Sequence, residues 1–213
     1  MDFNQLLEPM LEGTFVLLKI FFLTLLFALP LGLLVAFGRM NKRKYISQPV
    51  RIYQLIMRGT PLMLQLMFVF FAPYYIFGRT YDRFTAAVIA FVINYAAYFA
   101  EIYRAGIESI PQGQYEAAKV LGYSKTKTFI RIIIPQVVKR ILPPMGNETM
   151  TLVKDTALAY TIGVAELFRA ATNASSRAFS TVPLIVAGLI YFILNFVVEK
   201  LFIQAEKKLD YYK

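Results

Sequence analysis

An all-α integral membrane protein with five transmembrane helices and one helical hairpin projecting into the cytoplasm is the fold class this sequence predicts. Three observations predict it. The 213 residues are 58% hydrophobic, the mean hydropathy is +0.54, and the apolar residues gather in long runs. Five of those runs reach the roughly 20 residues that a helix needs to cross a ~30 Å hydrocarbon core. The connections between them alternate between strongly basic and weakly charged, the pattern that topology imposes on a chain crossing a membrane repeatedly.

Residues 1–13 hold Asp2, Glu8 and Glu12 but no Lys or Arg. They lack the basic n-region of a signal peptide and read as a short amphipathic lead-in on the outer surface. The first run, about 14–38, is the cleanest together with the last; its Lys19 lies early enough to snorkel outward. A basic turn follows over 39–51, with Arg39, Lys42, Arg43, Lys44 and Arg51. The second run, about 53–77, is interrupted by Gly59 and Pro61 directly after Arg58. That break leaves carbonyls without helical partners, and the Arg58 guanidinium is placed to satisfy them. Residues 78–83 make a short external loop.

The third run, about 84–107, carries Asn94, Tyr98 and Glu101 at i, i+4 and i+7, one polar stripe on an apolar helix. Two readings stand for it: interhelical hydrogen bonding or a dimer contact, and a lining for a solute pathway. Glu101 also has Arg104 and Arg58 as candidate partners. The fourth run, about 140–165, begins near Pro143-Pro144 and contains Lys154, Asp155, Thr156 and Thr161. Ionisable groups in hydrocarbon cost roughly 2.5–3.5 kcal/mol each, and adjacent helical residues do not face one another. Lys154 and Asp155 therefore each need a separate partner, in a neighbouring span or in a substrate. Residues 166–180, rich in Ala, Ser, Thr and Asn, make the longest external connection, and the fifth run spans about 181–204.

Segment 108–139 is the one sizeable cytoplasmic insertion, and it reads as two helices. Pro111 suits a first helical turn, Gly122 the left-handed position beyond a C-terminus, Ser124 the N-cap of a second helix, and Pro135 an interruption of it. Tyr115, Ala118 and Leu121-Gly122 share helical spacing and give a small, apolar face. Ala117 and Ala118 lack bulk, so another backbone can approach closely, and Glu116 is free to cap or pair there.

Composition excludes several functions. Cys and His are both absent, which removes disulfides, thiolate or imidazole catalysis and most zinc sites; no catalytic or metal-ligating residue is predicted. Trp is absent too, so an interfacial aromatic belt falls to Tyr53, Tyr74, Tyr75, Tyr191, Tyr211 and Tyr212. The net charge of +10 is explained by topology and anionic lipid rather than by nucleic acid. Its residues concentrate in the turn above, in Arg104, Lys119, Lys125, Lys127, Arg131, Lys139 and Arg140, and in Lys200, Lys207, Lys208 and Lys213. The opposite side receives only Arg79, Arg83, Arg169 and Arg177. The positive-inside rule then places the N-terminus outside and the C-terminus in the cytoplasm, as five crossings require.

One ordered series of residues goes further. Glu116-Ala117-Ala118, three residues, Gly122, nine residues and Ile132-Ile133-Ile134-Pro135 resemble the EAA loop of ABC importer permeases. Ile134 stands where the family pattern usually has Leu. Arg58-Gly59-Thr60-Pro61-Leu62, the stretch from Ala100 to Ile107 running into Ile110-Pro111-Gln112-Gly113-Gln114, Gly146-Asn147-Glu148 and Leu152-Val153-Lys154-Asp155 resemble the polar amino acid branch of that family. Together these motifs cover most of residues 50–170.

The resemblance implies a single permease domain over residues 1–213 in a bacterial cytoplasmic membrane, with the type I importer architecture and alternating access. Glu116, Ala117, Ala118, Gly122 and Pro135 would belong to the coupling helix seated in the ATP-binding subunit. Asn94, Tyr98, Glu101, Lys154 and Asp155 are the candidates for the substrate pathway, and Arg58 and Pro61 for a structural or gating role. The implied partners are two ATP-binding subunits, a second permease of the same or similar kind, an extracytoplasmic amino-acid-binding protein and membrane lipids. No cofactor is expected on this chain. It has no Gly-x-x-x-x-Gly-Lys-Ser/Thr loop, so ATP and Mg would sit on the partner. A passive pore without ATPase coupling is the alternative.

Overall fold

The protein is described by a computed structural model covering residues 3–209; Asp2, Tyr211, Tyr212 and Lys213 lie outside the described residues. The described chain is all-helical. Helix α1 (Phe3–Arg39) is followed by α2 (Lys44–Gly59), α3 (Leu62–Phe77), α4 (Arg83–Glu108), the short α5 (Gln112–Val120) and the single turn α6 (Lys125–Thr128). A widened π turn over Phe129–Ile133 leads into α7 (Ile134–Asp155), which tightens to a 3₁₀ stretch at Thr156–Ile162. Then come α8 (Leu167–Ala178) and α9 (Val182–Lys208).

Helices α1, α4 and α9 are each long and apolar enough to cross a membrane, and the pair α2–α3 adds a fourth span if its bent halves count as one. The runs at 84–107 and 181–204 match α4 and α9 within a few residues. Four other expectations change. From Phe3 on, the lead-in 1–13 is no separate element but the start of α1, a helix of 37 residues, about 55 Å at 1.5 Å per residue. The run 53–77 is not one helix: α2 and α3 meet at 112° across Thr60-Pro61, and α2 reaches back through most of the basic turn. The connection 166–180 is largely helical, because Leu167, Ala171 and Ala174 bury one face of α8. Pro143-Pro144 lie inside α7; both are exposed, where carbonyls lacking a helical donor can reach other partners.

The core is the contact of α1 with α4. Ala28 and Ala36 on α1 are fully buried, as are Ala96, Phe99 and Ala100 on α4, and Gly32 lies midway between the two α1 alanines. Small residues at this i, i+4, i+8 spacing let helix backbones approach closely. A Cβ at Gly32 would lie 3.0 Å from Phe99 Cβ and 3.1 Å from the Ala96 carbonyl oxygen. Gly32→Leu is therefore expected to cost roughly 1–3 kcal/mol through overpacking. Thermal melting by far-UV circular dichroism in detergent checks this, and an unchanged Tm would refute the close packing.

The tyrosines divide. Tyr74 and Tyr75 at the end of α3 are exposed, as an aromatic belt requires. Tyr53 instead donates to the Ile93 carbonyl oxygen, and Tyr191 donates to Glu166, so these two serve the interior. Lys19 is exposed and lies 4.4 Å from the Phe15 ring centroid.

Candidate functional site

Two regions collect the residues singled out by the sequence. The first is the hairpin α5–α6. Pro111 stands just before α5 in extended geometry, one position earlier than expected. The far end closes as a Schellman motif: Gly122 N–H donates to the Lys119 carbonyl (3.0 Å) and Tyr123 N–H to the Ala118 carbonyl (3.0 Å). Gly122 has φ +76°, the left-handed geometry that disfavours any residue bearing a Cβ. Ser124 Oγ accepts from Lys127 N–H at 3.3 Å and caps α6.

Pro135 brings no N–H to the helix, and its ring would clash with the Arg131 carbonyl in regular α geometry. The π turn adds a residue there, with Ile134 N–H bonding the Phe129 carbonyl. The helix thus continues through the proline instead of ending. A small core of Ile110, Ile133 and Val137 with Tyr115 braces the hairpin, Gln136 reaches Gln114 at 3.3 Å, and Arg140 donates to the Ser109 carbonyl.

This bracing decides which face is free. Ala118 is turned inward, 1% exposed, so it packs within its own chain rather than offering a small outer surface. Ala117 and Glu116 are exposed, and Glu116 neither caps a helix nor forms an ion pair among the described residues. The outer tip is apolar: Val120 is 87% exposed and Leu121 72%.

The second region lies between α2, α3, α4 and α7. The break after Arg58 is satisfied from elsewhere than expected. Gln65 Nε2 donates to the Met57 (2.9 Å) and Thr60 (3.1 Å) carbonyls. Asn94 Nδ2 donates to the Met57 carbonyl (3.1 Å) and to Gln65 Oε1 (2.9 Å). Arg58 instead lies 3.7 Å from Glu101 and over the Tyr98 ring. Glu101 pairs with both proposed partners, because Arg104 holds it at 2.5 Å as well. Pro61 starts α3 in extended geometry, where its lack of an N–H costs nothing. Of the polar stripe on α4, Asn94 is thus committed to the α2–α3 bend, while Tyr98 stays partly open.

On α7, Asp155 accepts from Tyr95 Oη at 2.8 Å. Lys154 points away, exposed and without an ion pair among the described residues. Thr156 and Thr161 bond carbonyls of their own helical stretch, Val153 and Leu158. Sequence reasoning passed over Gln65, Tyr95 and Glu148 as site residues. Glu148 is partly buried and lies two turns before Asp155 on the same face, within electrostatic reach of Asp155 and Tyr98. The signal for Glu148 was that spacing, and for Gln65 its isolation as the one strongly polar side chain of α3.

Among the described residues no cluster of three or more metal-ligating side chains exists. Chemically, the arrangement offers two carboxylates, Glu148 and Asp155, and two phenols, Tyr95 and Tyr98, on adjoining helices, linked through Arg58 to a helix bend.

The comparisons with known proteins concern the chain as a whole. Residues 28–209 match the family described as binding-protein-dependent transport system inner membrane component. The chain is 38% identical over 212 residues to the L-cystine transport system permease protein TcyB of Bacillus subtilis (strain 168), covering 98% of this chain and 90% of the relative. It is 38% identical over 200 residues to the arginine transport system permease protein ArtQ of the same organism, covering 93% and 91%. Its fold superimposes with a TM-score of 0.88 and 35% identity on the crystal structure of an amino acid ABC transporter with histidines, over 98% of this chain and 99% of the other. The MetNI methionine ABC transporter in an inward-facing conformation matches at TM-score 0.78 with 16% identity, covering 98% and 99%, a likeness of fold alone. The chain has the type I ABC importer permease fold and belongs to the family of binding-protein-dependent transport system inner membrane components.

Proposed function

We propose that this chain is the membrane-spanning permease of an ATP-driven importer of polar amino acids. The observation that carries the reading is the hairpin: a braced helix with an exposed apolar tip, on a chain resembling amino acid permeases along nearly its whole length. A partner that pushes on a membrane protein needs such a rigid, self-supported handle. Two ATP-binding subunits carry ATP and Mg, each seating one hairpin, and a second permease completes the pathway. An external binding protein delivers the amino acid.

Five crossings follow if the α2–α3 pair and α7 are counted with α1, α4 and α9. Glu148 and Asp155 of α7 then face the pathway rather than lipid, the N-terminus lies outside and the C-terminus inside. Glu148 and Asp155, steadied by Tyr95, form the acidic wall that receives the substrate's ammonium group. Arg58, Glu101 and Tyr98 lie nearer the cytoplasm, at the α2–α3 bend, and act in structure or gating. Asn94 holds the bend rather than the solute. ATP binding moves the hairpins and shifts the pair of permeases between inward- and outward-facing states, to the extent that ATP favours one of them.

The test is uptake of labelled amino acids into vesicles holding the permease, its ATPase and its binding protein. Uptake is expected to require ATP. Asp155→Asn is expected to lower it about tenfold or more, the scale of one lost charge-assisted hydrogen bond, with the ATPase still bound. Solute flux without ATP would replace the importer with a passive pore.

A further inference from the structure

A cleft of about 420 Å³ opens where the end of α1, the length of α2 and the end of α4 meet. None of Asn94, Tyr98, Lys154 or Asp155 lines it. Four guanidiniums do: Arg39, Arg51, Arg58 and Arg104, with Glu101 the lone carboxylate among the lining residues. Glu101 is already shared by Arg58 and Arg104, and Arg104 also binds Glu108. Arg39 and Arg51 have no ion-pair partner among the described residues. Cations left unbalanced beside one another repel, unless an anion joins them.

A second, independent observation points the same way. Gln54 is only 4% exposed, it lines this cleft, and its Nε2 has no hydrogen-bond partner. A buried amide donor without an acceptor costs on the scale of a lost hydrogen bond, a cost that an acceptor in the cleft relieves once the Gln54 side chain turns its enclosed amide toward it. Guanidinium forks match phosphate oxygens in geometry as well as charge.

We infer that the cleft is a binding site for a phosphate group, clasped by Arg39 and Arg51, with the Gln54 amide turning out of its enclosed position to donate. A lipid headgroup and a soluble phosphate both carry this chemistry. The surroundings favour the lipid. Helix α2 carries exposed Ile52, Leu55 and Ile56 beside the arginines, an apolar shelf for acyl chains. Basic pockets between helices on the cytoplasmic side are where anionic headgroups bind.

The experiment uses the purified full chain in neutral detergent and three probes: dihexanoyl phosphatidylglycerol, dihexanoyl phosphatidylcholine and inorganic phosphate. Bound molecules are counted by native mass spectrometry and Tm is followed in parallel. Phosphatidylglycerol is expected to remain bound and raise Tm. Arg39→Gln/Arg51→Gln is expected to weaken it at least tenfold, and Lys207→Gln/Lys208→Gln to leave it unchanged. Arg39 and Arg51 form no ion pair among the described residues, so their replacement is expected to leave helical content by circular dichroism near wild type; Gln54→Leu provides a second variant with the same expected weakening. Binding of inorganic phosphate that is equally sensitive to Arg39 and Arg51 would support the site and name its source as soluble phosphate. Binding of all three probes that is indifferent to these substitutions, or no binding of any, would overturn the proposal. Amino acid uptake enters none of these readouts, so the result stands apart from the transport reading.

Discussion

Leu121→Glu is expected to abolish capture of the ATP-binding subunit in a detergent pull-down, and Gly122→Val to weaken it about tenfold. The two variants act through different physics. Leu121 is 72% exposed at the hairpin tip, so its apolar surface is available to a partner. Burying a leucine side chain is worth about 1.5–3 kcal/mol, and a carboxylate buried in its place adds a desolvation penalty. Together these exceed the roughly 2.8 kcal/mol that a hundredfold loss requires. A side chain at Gly122 would meet open space: beyond the residue itself and its chain neighbours, no atom lies within 4 Å of where its Cβ would be. Its replacement therefore acts only through the backbone, where φ +76° costs an L-residue roughly 1–2 kcal/mol, more for a β-branched one. The Schellman turn opens and the tip loses its aim. Helical content by circular dichroism should stay near wild type in both. Wild-type capture by Leu121→Glu would remove the hairpin from the interface.

How far the sequence could be read depends on whether a feature is local. The bounds of α4 and α9 were legible because each is an apolar run closed by polar residues on both sides. Gly122 and Ser124 were legible as hairpin punctuation because left-handed geometry and N-capping are properties of single residues. The side of α5 that faces out was not. Tyr115, Ala118 and Leu121 share a helical spacing, yet Ala118 is buried and Leu121 is not, and Tyr115 packs on Ile110, Ile133 and Val137, which come from beyond the hairpin.

The α2–α3 bend is a like case. Gly59 and Pro61 announced a break, but its 112° angle rests on Gln65 and on Asn94, which is 37 residues from its acceptor Met57. Arg58, adjacent in sequence, was the obvious candidate to satisfy the carbonyls, and a distant amide does so instead. Helix α8 was missed for a different reason. Its composition is that of a connection, and the evidence against that lay in the 167, 171, 174 periodicity and in Glu166, an uncommon capping residue.

That cap carries the last prediction. Glu166 is fully buried, with Oε2 accepting from Phe168 N–H (2.6 Å) and Tyr191 Oη (3.1 Å), and Oε1 from Arg169 N–H (2.8 Å). It ties the start of α8 to α9. Burial disfavours its ionised form more than these hydrogen bonds favour it, and its carboxyl is pushed up to about 7, above the ordinary glutamate value near 4.3. A raised value means that the folded protein holds this proton more tightly than the unfolded chain does. The stability that Glu166 contributes is therefore complete below the unfolded value and is lost as pH rises through about 7. The span amounts to at most about 4 kcal/mol.

Thermal unfolding at pH 5, 6 and 7.5 should accordingly show Tm falling with pH. Glu166→Gln keeps an acceptor oxygen for the cap but cannot ionise, so it should flatten that slope and match wild type most closely at pH 5. Glu166→Ala leaves two backbone N–H groups and the Tyr191 hydroxyl without their acceptor, and should be destabilised at every pH by roughly 1–3 kcal/mol. A slope in Glu166→Gln equal to that of wild type would assign the pH dependence to another group and leave Glu166 as a cap alone.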